Sequence, residues 1–366
     1  MKLLCEGLDL SNAILKVIKA ISSKTPNDIL ECIKLTAKGD YLTLLATDTE
    51  IAIEKTIRAE ILEEGETLVQ GKLFNELVKK LEDEQIELSL INNSLKVRYG
   101  DSEGFIQTRE LESFPVINKN INESSFTMSQ KDFKDLIAMT AFSCSQDDSR
   151  PILKGCKLEV ENGFVVCVAL DGFRLAVCKK ELAHSTGNFN AIVPSRTLVE
   201  ITRLLERDED MVTVIIQKNM LMVEVASTVL ISRLLEGEYL NYRQIIPSEF
   251  LSILRVSKAQ LLSSIERAAI VARGMKNLIK LDIKEGNMNI SANSELGKVD
   301  ENILINLEGK DVVIAFNSKY LTDIFRAIDD DFVYVYLNSS ISPCVIKPYQ
   351  GDGYLYLILP IRINNN

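Results

Sequence analysis

Apolar residues fall at helical spacing in an eleven-residue stretch that occurs three times along the chain. In "RTLVEITRLLE" (196–206), Leu198 and Ile201 lie on one face of a predicted helix. The stretches "KLFNELVKKLE" (72–82) and "KYLTDIFRAID" (319–329) repeat the pattern, and the three starting points are 124 and 123 residues apart. So regular an interval predicts three copies of one domain, each about 122 residues long.

Each copy also begins with an earlier apolar pattern of the same helical period, at 10–22, 131–143 and 259–272. Ser11 is a candidate N-cap for the first of these helices. Alternating apolar runs with short turns, such as Asp171–Gly172, predict antiparallel strands between and after the helices. The predicted fold class is therefore α+β, with two helices packed on antiparallel sheet in each copy.

Polar and proline-marked stretches separate the copies and predict domains over 1–120, 125–247 and 251–366. A repeat whose terminal sheet edges stay bare invites aggregation. Pairing the last edge with the first edge of a second chain removes that hazard, and such a head-to-tail contact can close a ring. Closure of this kind would give a ring of repeats.

The amino-acid composition is compatible with three folded domains. Hydrophobic residues make up 46% of the chain, and Gly and Pro are few, so long disordered linkers are not expected. The N-terminus is unlike a secretory signal and no stretch approaches a membrane span, so we expect a cytoplasmic protein without a membrane partner. The seven scattered cysteines, without a Cys-x-x-Cys pair, predict buried reduced thiols.

The sequence stretches that resemble catalytic motifs lack residues that those motifs require. "GETLVQGKL" resembles a phosphate loop, but five residues separate Gly65 from Gly71 where that loop has four. Leu73 also stands where Ser or Thr would bind magnesium. The single histidine, His184, lies in a polar stretch typical of a surface loop. We expect no enzyme, no catalytic residue, no metal and no cofactor.

The net charge of −10 argues against a protein that coats nucleic acid. The second helix of each copy nevertheless begins with a base and carries another further on. If these helices line the inside of a ring, the bore is positive and attracts phosphates without reading bases. The alternative for any single residue is an ordinary solvated helix face. The predicted DNA-facing bases on these helices are Lys72, Lys79, Arg196, Arg203, Lys319 and Arg326.

The chain also resembles the bacterial sliding clamp family, the beta subunit of DNA polymerase III, over nearly its whole length. The resemblance implies the DNA clamp fold and a head-to-tail homodimer that closes a ring around duplex DNA, with twelve helices lining the hole. It also implies a tether for the polymerase in place of catalysis. Such a tether raises the local concentration of the enzyme. The matching segments are "RPILKGCKLEV" (150–160), "ALDGFRLAVC" (169–178), "IVPSRTLVEI" (192–201), "SRLLEGEYLNYRQIIP" (232–247), "IAFNSKYL" (314–321) and "LILPIRI" (357–363).

The resemblance further implies a pocket between the second and third domains for short linear peptides of the replicative polymerase, the clamp loader and repair proteins. Its apolar floor would be formed by Leu153, Leu175, Ile245, Leu357, Leu359 and Ile361. The rim would be formed by Gly172, Arg174, Pro360 and Arg362, and a second part by Asn317 and Tyr320. For Leu175 and Leu357, packing in the core is an equally good interpretation.

Four pocket positions depart from the family pattern and predict a more apolar, less positive pocket. Leu170 replaces a small hydroxyl residue and Phe173 replaces a histidine. Leu240 replaces a proline, and Gln244 replaces a basic residue. We expect the pocket to keep its peptide binding with an altered side-chain preference.

By the same resemblance, loop contacts to DNA map onto Lys24 and Arg150. The subunit interface would join the strand at Phe105 and Ile106 to the helix at Ile270 and Val271. The alternative for these apolar residues is burial within their own domains.

Two other functions remain open at this point. A repeat-built scaffold that binds peptides without encircling DNA could be monomeric, whereas a ring needs a dimer. An enzyme with an unfamiliar site predicts acids, bases or nucleophiles clustered in one pocket.

Overall fold

The computed structural model describes residues 1–22, 25–82, 84–118, 124–273, 276–295 and 297–362. Within them one series of elements occurs three times: a strand, a helix, five strands, a second helix and three strands. The triplicated α+β architecture is thereby confirmed.

The first copy comprises β1 (Lys2–Glu6), α1 (Gly7–Val17), β2 (Cys32–Lys38), β3 (Tyr41–Thr47), β4 (Ile51–Arg58), β5 (Glu60–Glu63), β6 (Gly65–Gln70), α2 (Gly71–Val78), β7 (Gln85–Ile91), β8 (Ser94–Tyr99) and β9 (Ser102–Arg109). The second comprises β10 (Ser124–Ser129), α3 (Gln130–Ala138), β11 (Gly155–Glu161), β12 (Phe164–Leu170), β13 (Arg174–Glu181), β14 (His184–Ser185), β15 (Phe189–Pro194), α4 (Ser195–Leu204), β16 (Met211–Gln217), β17 (Met220–Val225) and β18 (Thr228–Arg233). The third comprises β19 (Ser252–Ser257), α5 (Lys258–Ala272), β20 (Leu278–Lys284), β21 (Asn287–Ser294), β22 (Gly297–Leu304), β23 (Asn306–Gly309), β24 (Val312–Asn317), α6 (Ser318–Ala327), β25 (Phe332–Leu337), β26 (Cys344–Pro348) and β27 (Tyr354–Ile358).

The helices occupy the predicted places, but they begin directly where a strand ends. The prediction of Ser11 as an N-cap is wrong, because α1 begins at Gly7 and Ser11 is buried inside it, donating to Glu82 at 2.9 Å. Gly7 also has a packing reason, since a Cβ there would lie 1.9 Å from the carbonyl oxygen of Leu81. The spacing of apolar residues does not locate the start of α1, because β1 runs into the helix without an intervening loop.

Each copy contains two sets of antiparallel strands. The first copy has β9-β8-β7-β1-β5 and β6-β2-β3-β4 in spatial order, and the other copies repeat both orders with their equivalent strands. Helices pack on the strands through apolar faces, as in α4, where Leu198 and Ile201 are fully buried while Val199 is 42% exposed.

Neighbouring copies are joined by strand pairing at their edges. In the first junction β4 pairs with β18, and in the second β13 pairs with β27. In the third copy β22 pairs with β21 and with no other strand of the described residues. Residues 102–107 of β9 likewise pair with β8 alone in the described chain. These two edges therefore lack a partner strand within the described chain, and the sheets also end at β5, β14, β15, β23 and β24.

The pairings also explain why the chain divides into two compact units. One unit comprises Met1–Lys131, Ala183–Gly187 and Arg196–Leu234, and the other comprises Asp132–Leu182, Asn188–Ser195 and Leu235–Asn366. The second copy contributes strands to both units, through β18 to one and β13 to the other. The domain limits at 1–120, 125–247 and 251–366 stay a prediction.

All seven cysteines are buried and unpaired, as predicted. His184 is exposed as predicted, but it lies in β14, opposite Thr127 of β10, and not in a loop. No helix of the described residues combines the length and apolar character that crossing a membrane requires.

Candidate functional site

The predicted pocket residues all belong to the second unit, and some of them are core residues. Leu153, Leu170, Leu175 and Leu357 are at most 6% exposed and share one apolar cluster with Tyr242. The cluster lies where the segment after β18 crosses one face of the sheet formed by β11, β12, β13, β27 and β26. These leucines form a rigid apolar base, and their side chains are packed by the protein itself.

Four other predicted pocket residues are large apolar side chains in contact with solvent. Phe173 is 59% exposed, Leu240 50%, Ile245 41% and Leu359 39%. Leu359 is held beside Phe173 because its N–H donates to the Phe173 carbonyl at 2.8 Å. Ile245 and Leu359 were predicted to form the floor of the pocket, but their side chains lie at its exposed border. Several exposed apolar side chains around a buried apolar cluster are typical of a protein-binding site.

The second part of the predicted pocket lies at the start of α6. Asn317 caps the helix by accepting a hydrogen bond from the Lys319 N–H at 3.0 Å. The half-buried ring of Tyr320 stacks near Phe173, with 6.4 Å between ring centroids. The half-buried Ile361 is fixed to the sheet, because its N–H donates to the Ala315 carbonyl at 2.8 Å.

The remaining rim positions are accessible. Gly172 is exposed and has a φ of +93°, a conformation that strains most side chains. Gln244 and Arg362 are exposed and Pro360 is half-buried. These positions can contact a ligand without rearrangement of the core.

The prediction of Arg174 as a rim residue needs correction, because its side chain is only 8% exposed. Its Nε donates to Asp171 at 3.0 Å, its Nη1 to Asp323 at 2.7 Å, and its Nη2 to the Phe142 carbonyl at 2.6 Å. The guanidinium also lies 4.5 Å from the centroid of the Tyr320 ring. A buried arginine needs such partners, and the result is a tie between the β12–β13 turn and α6.

A second buried charge, which sequence reasoning missed, anchors the segment that carries Leu240 and Ile245. Glu159 on β11 is 8% exposed. It accepts from the Tyr242 hydroxyl at 2.8 Å and from Arg243 Nη2 at 2.7 Å, and pairs with Lys157 at 2.7 Å. The sequence shows Glu159 in a strand with two other charged residues, Lys157 and Glu161, and this pattern does not identify Tyr242 and Arg243 as partners.

The protonation of this anchor is set by its surroundings. Burial acts to raise the pKa of the Glu159 carboxyl, but hydrogen bonds from Lys157, Tyr242 and Arg243 outweigh it and lower the pKa. Burial, and next the Glu159 carboxylate, raise the pKa of the Tyr242 phenol, so the hydroxyl stays a donor. The anchor is therefore ionic at neutral pH.

The predicted DNA-facing bases lie exposed on the second helices. Each helix carries two bases seven residues apart with an acid four residues after the first, as in Lys72 and Glu76 of α2 and Lys79 at its C-cap. Three of the bases are paired with acids of their own unit: Arg196 with Asp48 at 2.7 Å, Arg203 with Glu200 at 2.6 Å, and Arg326 with Glu266 at 2.8 Å. Sequence reasoning did not foresee this partial neutralisation. Only in the Arg326–Glu266 pair are both side chains well exposed, and exposed pairs contribute little stability. Asp48 and Glu200 are largely buried, so their pairs with Arg196 and Arg203 are more firmly held.

Of the two predicted loop contacts to DNA, Lys24 lies outside the described residues. Arg150 is exposed, and its Nη1 lies 3.7 Å from where a Cβ would stand on Gly172. Its loop is shaped by Asp147, which accepts from the N–H and the hydroxyl of Ser149 at 2.9 and 2.7 Å.

Of the four predicted interface residues, three are at least partly accessible to solvent and one is buried. Phe105 is 55% exposed, Ile270 is 62% exposed and Val271 is half-buried. Ile106 is only 3% exposed, so its side chain belongs to the core of its own copy. Alternation along β9 explains the difference, because neighbouring residues of a strand point to opposite faces.

In the described part of the chain, no three His, Cys, Asp or Glu side chains are grouped so that they could hold a metal ion.

Comparisons with known proteins agree with this architecture. Sequence profiles of the DNA polymerase III beta subunit match the chain in three parts: the N-terminal domain at 1–118, the central domain at 127–241 and the C-terminal domain at 243–362. The beta sliding clamp of Staphylococcus epidermidis is 32% identical over 364 residues, which cover 96% of each chain.

Solved structures are similar over almost the whole chain. The DNA polymerase sliding clamp of Bacillus subtilis has a TM-score of 0.96 and 29% identity, covering 99% of each chain. A DnaN sliding clamp (DNA polymerase III subunit beta) of Pseudomonas aeruginosa, solved bound to griselimycin, has a TM-score of 0.95 and 25% identity, covering 99% of this chain and 100% of that one.

The Glu159 anchor yields a prediction for stability. Because the pKa of Glu159 is lowered in the folded state, its contribution is present above the unfolded pKa and is lost as the pH falls through the folded pKa. Glu159→Gln should cost about 2 kcal/mol at pH 7, since hydrogen bonds to charged groups are the stronger ones. The cost should begin to fall as the pH drops below the unfolded pKa of about 4.3 and should disappear only below the lower folded pKa.

Urea unfolding of both proteins between pH 3 and pH 8 measures this difference. Glu161→Gln, an exposed acid on the same strand, is the matched control and should change little at any pH. A loss that is constant across the pH range would contradict an ionic anchor.

Proposed function

This chain belongs to the family of the DNA polymerase III beta subunit, the bacterial sliding clamps, and on that premise we propose how its own residues close a ring, attract DNA and hold partners. A sliding clamp encircles duplex DNA and tethers the replicative polymerase. Its contribution is processivity, through a high local concentration of enzyme. We propose that the chain acts as such a tether without catalysis, and in the cytoplasm.

Internal repetition supports one specific way to close the ring. In the first junction Ile51 of β4 is opposite Ser232 of β18, and in the second Arg174 of β13 is opposite Ile358 of β27. Arg174 stands 123 residues after Ile51, and Ile358 stands 126 residues after Ser232. The same shifts bring Gly297 of β22 opposite Ile106 of β9. Since β22 and residues 102–107 of β9 are the uncovered equivalents of the strands that pair at the two internal junctions, we propose that they pair between two chains in this register.

The register accounts for the exposed Ile270. At the equivalent place in the second copy, Phe142 of the short 3-10 turn that follows α3 packs against Tyr356 of β27, with 6.0 Å between ring centroids. Two shifts of 126 residues relate Tyr356 to Gly104 of β9. In the proposed dimer Ile270 of one chain therefore packs over Gly104 of the other, which has no side chain to obstruct it.

The face of the third junction that lies away from Ile270 carries different side chains from the same face of the two junctions within the chain. The second junction has apolar pairs there, such as Leu175 with Leu357. In the proposed register Phe105 stands opposite Lys298, and Glu103 stands opposite Asp300. Like charges opposite each other are unfavourable, so this junction should be the weakest of the three. A ring that has to open for loading needs one such junction.

Replacing Ile270 with Asp tests the closure, because a buried unpaired carboxylate is strongly unfavourable. We expect the wild-type chain to sediment as a dimer, twice its mass of 41.0 kDa. The variant should sediment as a monomer at micromolar concentration. Ile341→Asp, which changes an isoleucine that is 64% exposed, is the matched control and should remain dimeric. A monomeric wild type would instead favour the peptide-binding scaffold.

The cationic second helices support a bore that attracts DNA by charge alone. We propose that Lys72, Arg196 and Lys319, each at the start of its helix, face the phosphates together with Arg150. Contacts of this kind carry no base specificity and exchange as the ring moves. The acidic remainder of the chain disfavours binding elsewhere.

Changing Lys72, Arg196 and Lys319 together to Glu, here called the bore variant, should slow loading onto primed circular DNA at least tenfold without unfolding the chain. The wild-type ring should remain on closed circles in high salt and leave them on linearisation, because only topological linkage resists salt in this way. The control with the same charge change replaces Lys38, Lys218 and Lys310, exposed at strand turns, with Glu. Equal loading by both triple variants would disprove the bore.

We propose that partner peptides dock through apolar anchors on the exposed edge formed by Phe173, Leu240, Ile245 and Leu359, above the buried leucine cluster. Tyr320, Asn317 and the polar rim would orient the peptide backbone. Phe173 and Leu240 add apolar area to the site, so peptides with aliphatic or aromatic anchor residues should bind best. Because Gln244 carries no charge, acidic residues that flank the anchors should contribute little to affinity. A pocket of this form is also where griselimycin would compete.

Truncating Leu359 or Ile245 to Ala should weaken a fluorescent clamp-binding peptide about tenfold, the loss expected for an anchoring contact. Fluorescence anisotropy with unlabelled griselimycin as competitor measures both affinities. Ile341→Ala provides the control, since that side chain is exposed outside the edge. If neither ligand binds, or if the control weakens binding equally, the pocket assignment fails.

A further inference from the structure

A row of two cations and an aromatic ring crosses three adjacent strands of the third copy. Arg255 on β19 is directly opposite Tyr334 on β25, and Tyr334 is directly opposite Lys347 on β26. Side chains directly opposite in antiparallel strands lie side by side on one face. The row therefore presents a positive, aromatic strip on one face of the sheet.

More rings extend this strip on both sides. Tyr349 lies 5.5 Å from Tyr334 and 6.4 Å from Phe332, between ring centroids. On the other side Tyr336 lies 6.1 Å from Tyr334. Phe332 and Tyr349 are each 39% exposed. We call the set Arg255, Phe332, Tyr334, Tyr336, Lys347 and Tyr349 the aromatic platform.

The cations of the platform contact rings and form no ion pair with any described residue. The Arg255 guanidinium lies 4.3 Å from the Phe332 centroid and 4.7 Å from that of Tyr349. The Lys347 ammonium lies 5.0 Å from the Tyr336 centroid. Arg255 Nε is buried and has no hydrogen-bond partner in the described structure. The half-buried Lys347 side chain has no carboxylate partner among the described residues, so its charge remains available to an anion.

The other two copies show that the fold does not need this arrangement. At the equivalent places the first copy has Leu4, Glu87 and Arg98, and the second has Thr127, Thr213 and Glu224. The backbone pairing is the same in all three rows, yet only the third combines a ring with two unpaired cations. A requirement of folding would appear in all three copies, so the platform calls for another explanation.

We propose that the aromatic platform binds single-stranded nucleic acid. Planar rings beside cations are what unstacked bases and their phosphates recognise, and every base offers a π-face whatever the sequence. Duplex DNA hides its base faces, so it cannot use the rings. An acidic peptide can use the charges but has no bases to stack. This activity is separate from the encircling of duplex DNA, because it needs no closed ring.

A fluorescein-labelled oligodeoxythymidylate of about twelve nucleotides tests the proposal by anisotropy with the full-length chain, within the range of known site sizes. The bore variant is the background, so that the helix bases contribute little. Tyr334→Thr and Lys347→Glu introduce the residue types that the second copy has at these places. We expect Tyr334→Thr to weaken binding about tenfold through lost stacking. Lys347→Glu should also reduce the slope of log K against log salt by about 0.7.

Matched controls come from the same chain. Tyr41→Thr changes a tyrosine that is 47% exposed elsewhere, and Lys218→Glu changes an exposed lysine. Neither should alter binding of the oligonucleotide. If Tyr334→Thr unfolds the protein, Tyr349→Leu removes an exposed π-face while keeping an apolar side chain, and should weaken binding by a similar factor.

Three results would overturn the proposal. The oligonucleotide could fail to bind, or bind equally well to the platform variants. A duplex of the same length could bind as tightly. Polyglutamate of about twelve residues could bind as tightly and respond to the same variants, which would assign the surface to acidic peptides. The platform variants on an unchanged bore should be retained on circular DNA like the wild type, so failure here leaves the sliding clamp function intact.

Discussion

Unpaired backbone donors and acceptors along strand edges govern this architecture, because each edge must find a partner. Two junctions satisfy edges within the chain, and the second copy is divided between two compact units as a result. The equivalent edges on β22 and β9 have no such partner within the described chain, and by our proposal a second chain supplies it. The same interaction thus joins copies covalently linked in sequence and, by our proposal, joins separate subunits. Head-to-tail symmetry follows from it.

Buried charges hold the surfaces that this framework carries. Arg174 ties a hairpin turn to α6, and Glu159 holds the segment with Tyr242 against β11. Each buried charge is satisfied by several hydrogen bonds, as a low-dielectric site demands. Such ties keep apolar side chains like Leu240 exposed in fixed positions, so a peptide would meet a preorganised edge and lose little affinity to ordering.

Repetition lets three copies of one backbone take different surface roles. Equivalent rows of residues across three strands are acid and base in the first copy, polar in the second, and cationic and aromatic in the third. The second helices, by contrast, keep the same spacing of two bases in every copy. Features shared by all copies belong to the ring and its bore, whereas features of one copy are where separate binding functions arise.

Local periodicity was enough to determine the triplication, the α+β class, the two helices of each copy and the bases on them, because these depend on residues close in sequence. Resemblance added the pocket positions and interface residues, and these stay predictions at residue level. Tertiary structure alone decided that Arg174 and Ile106 are buried, that Arg196 pairs with Asp48, and that Ser11 lies inside a helix. It also decided which strand edges pair and in what register. These outcomes depend on contacts between residues far apart in the chain, which no local pattern of apolar and polar positions records.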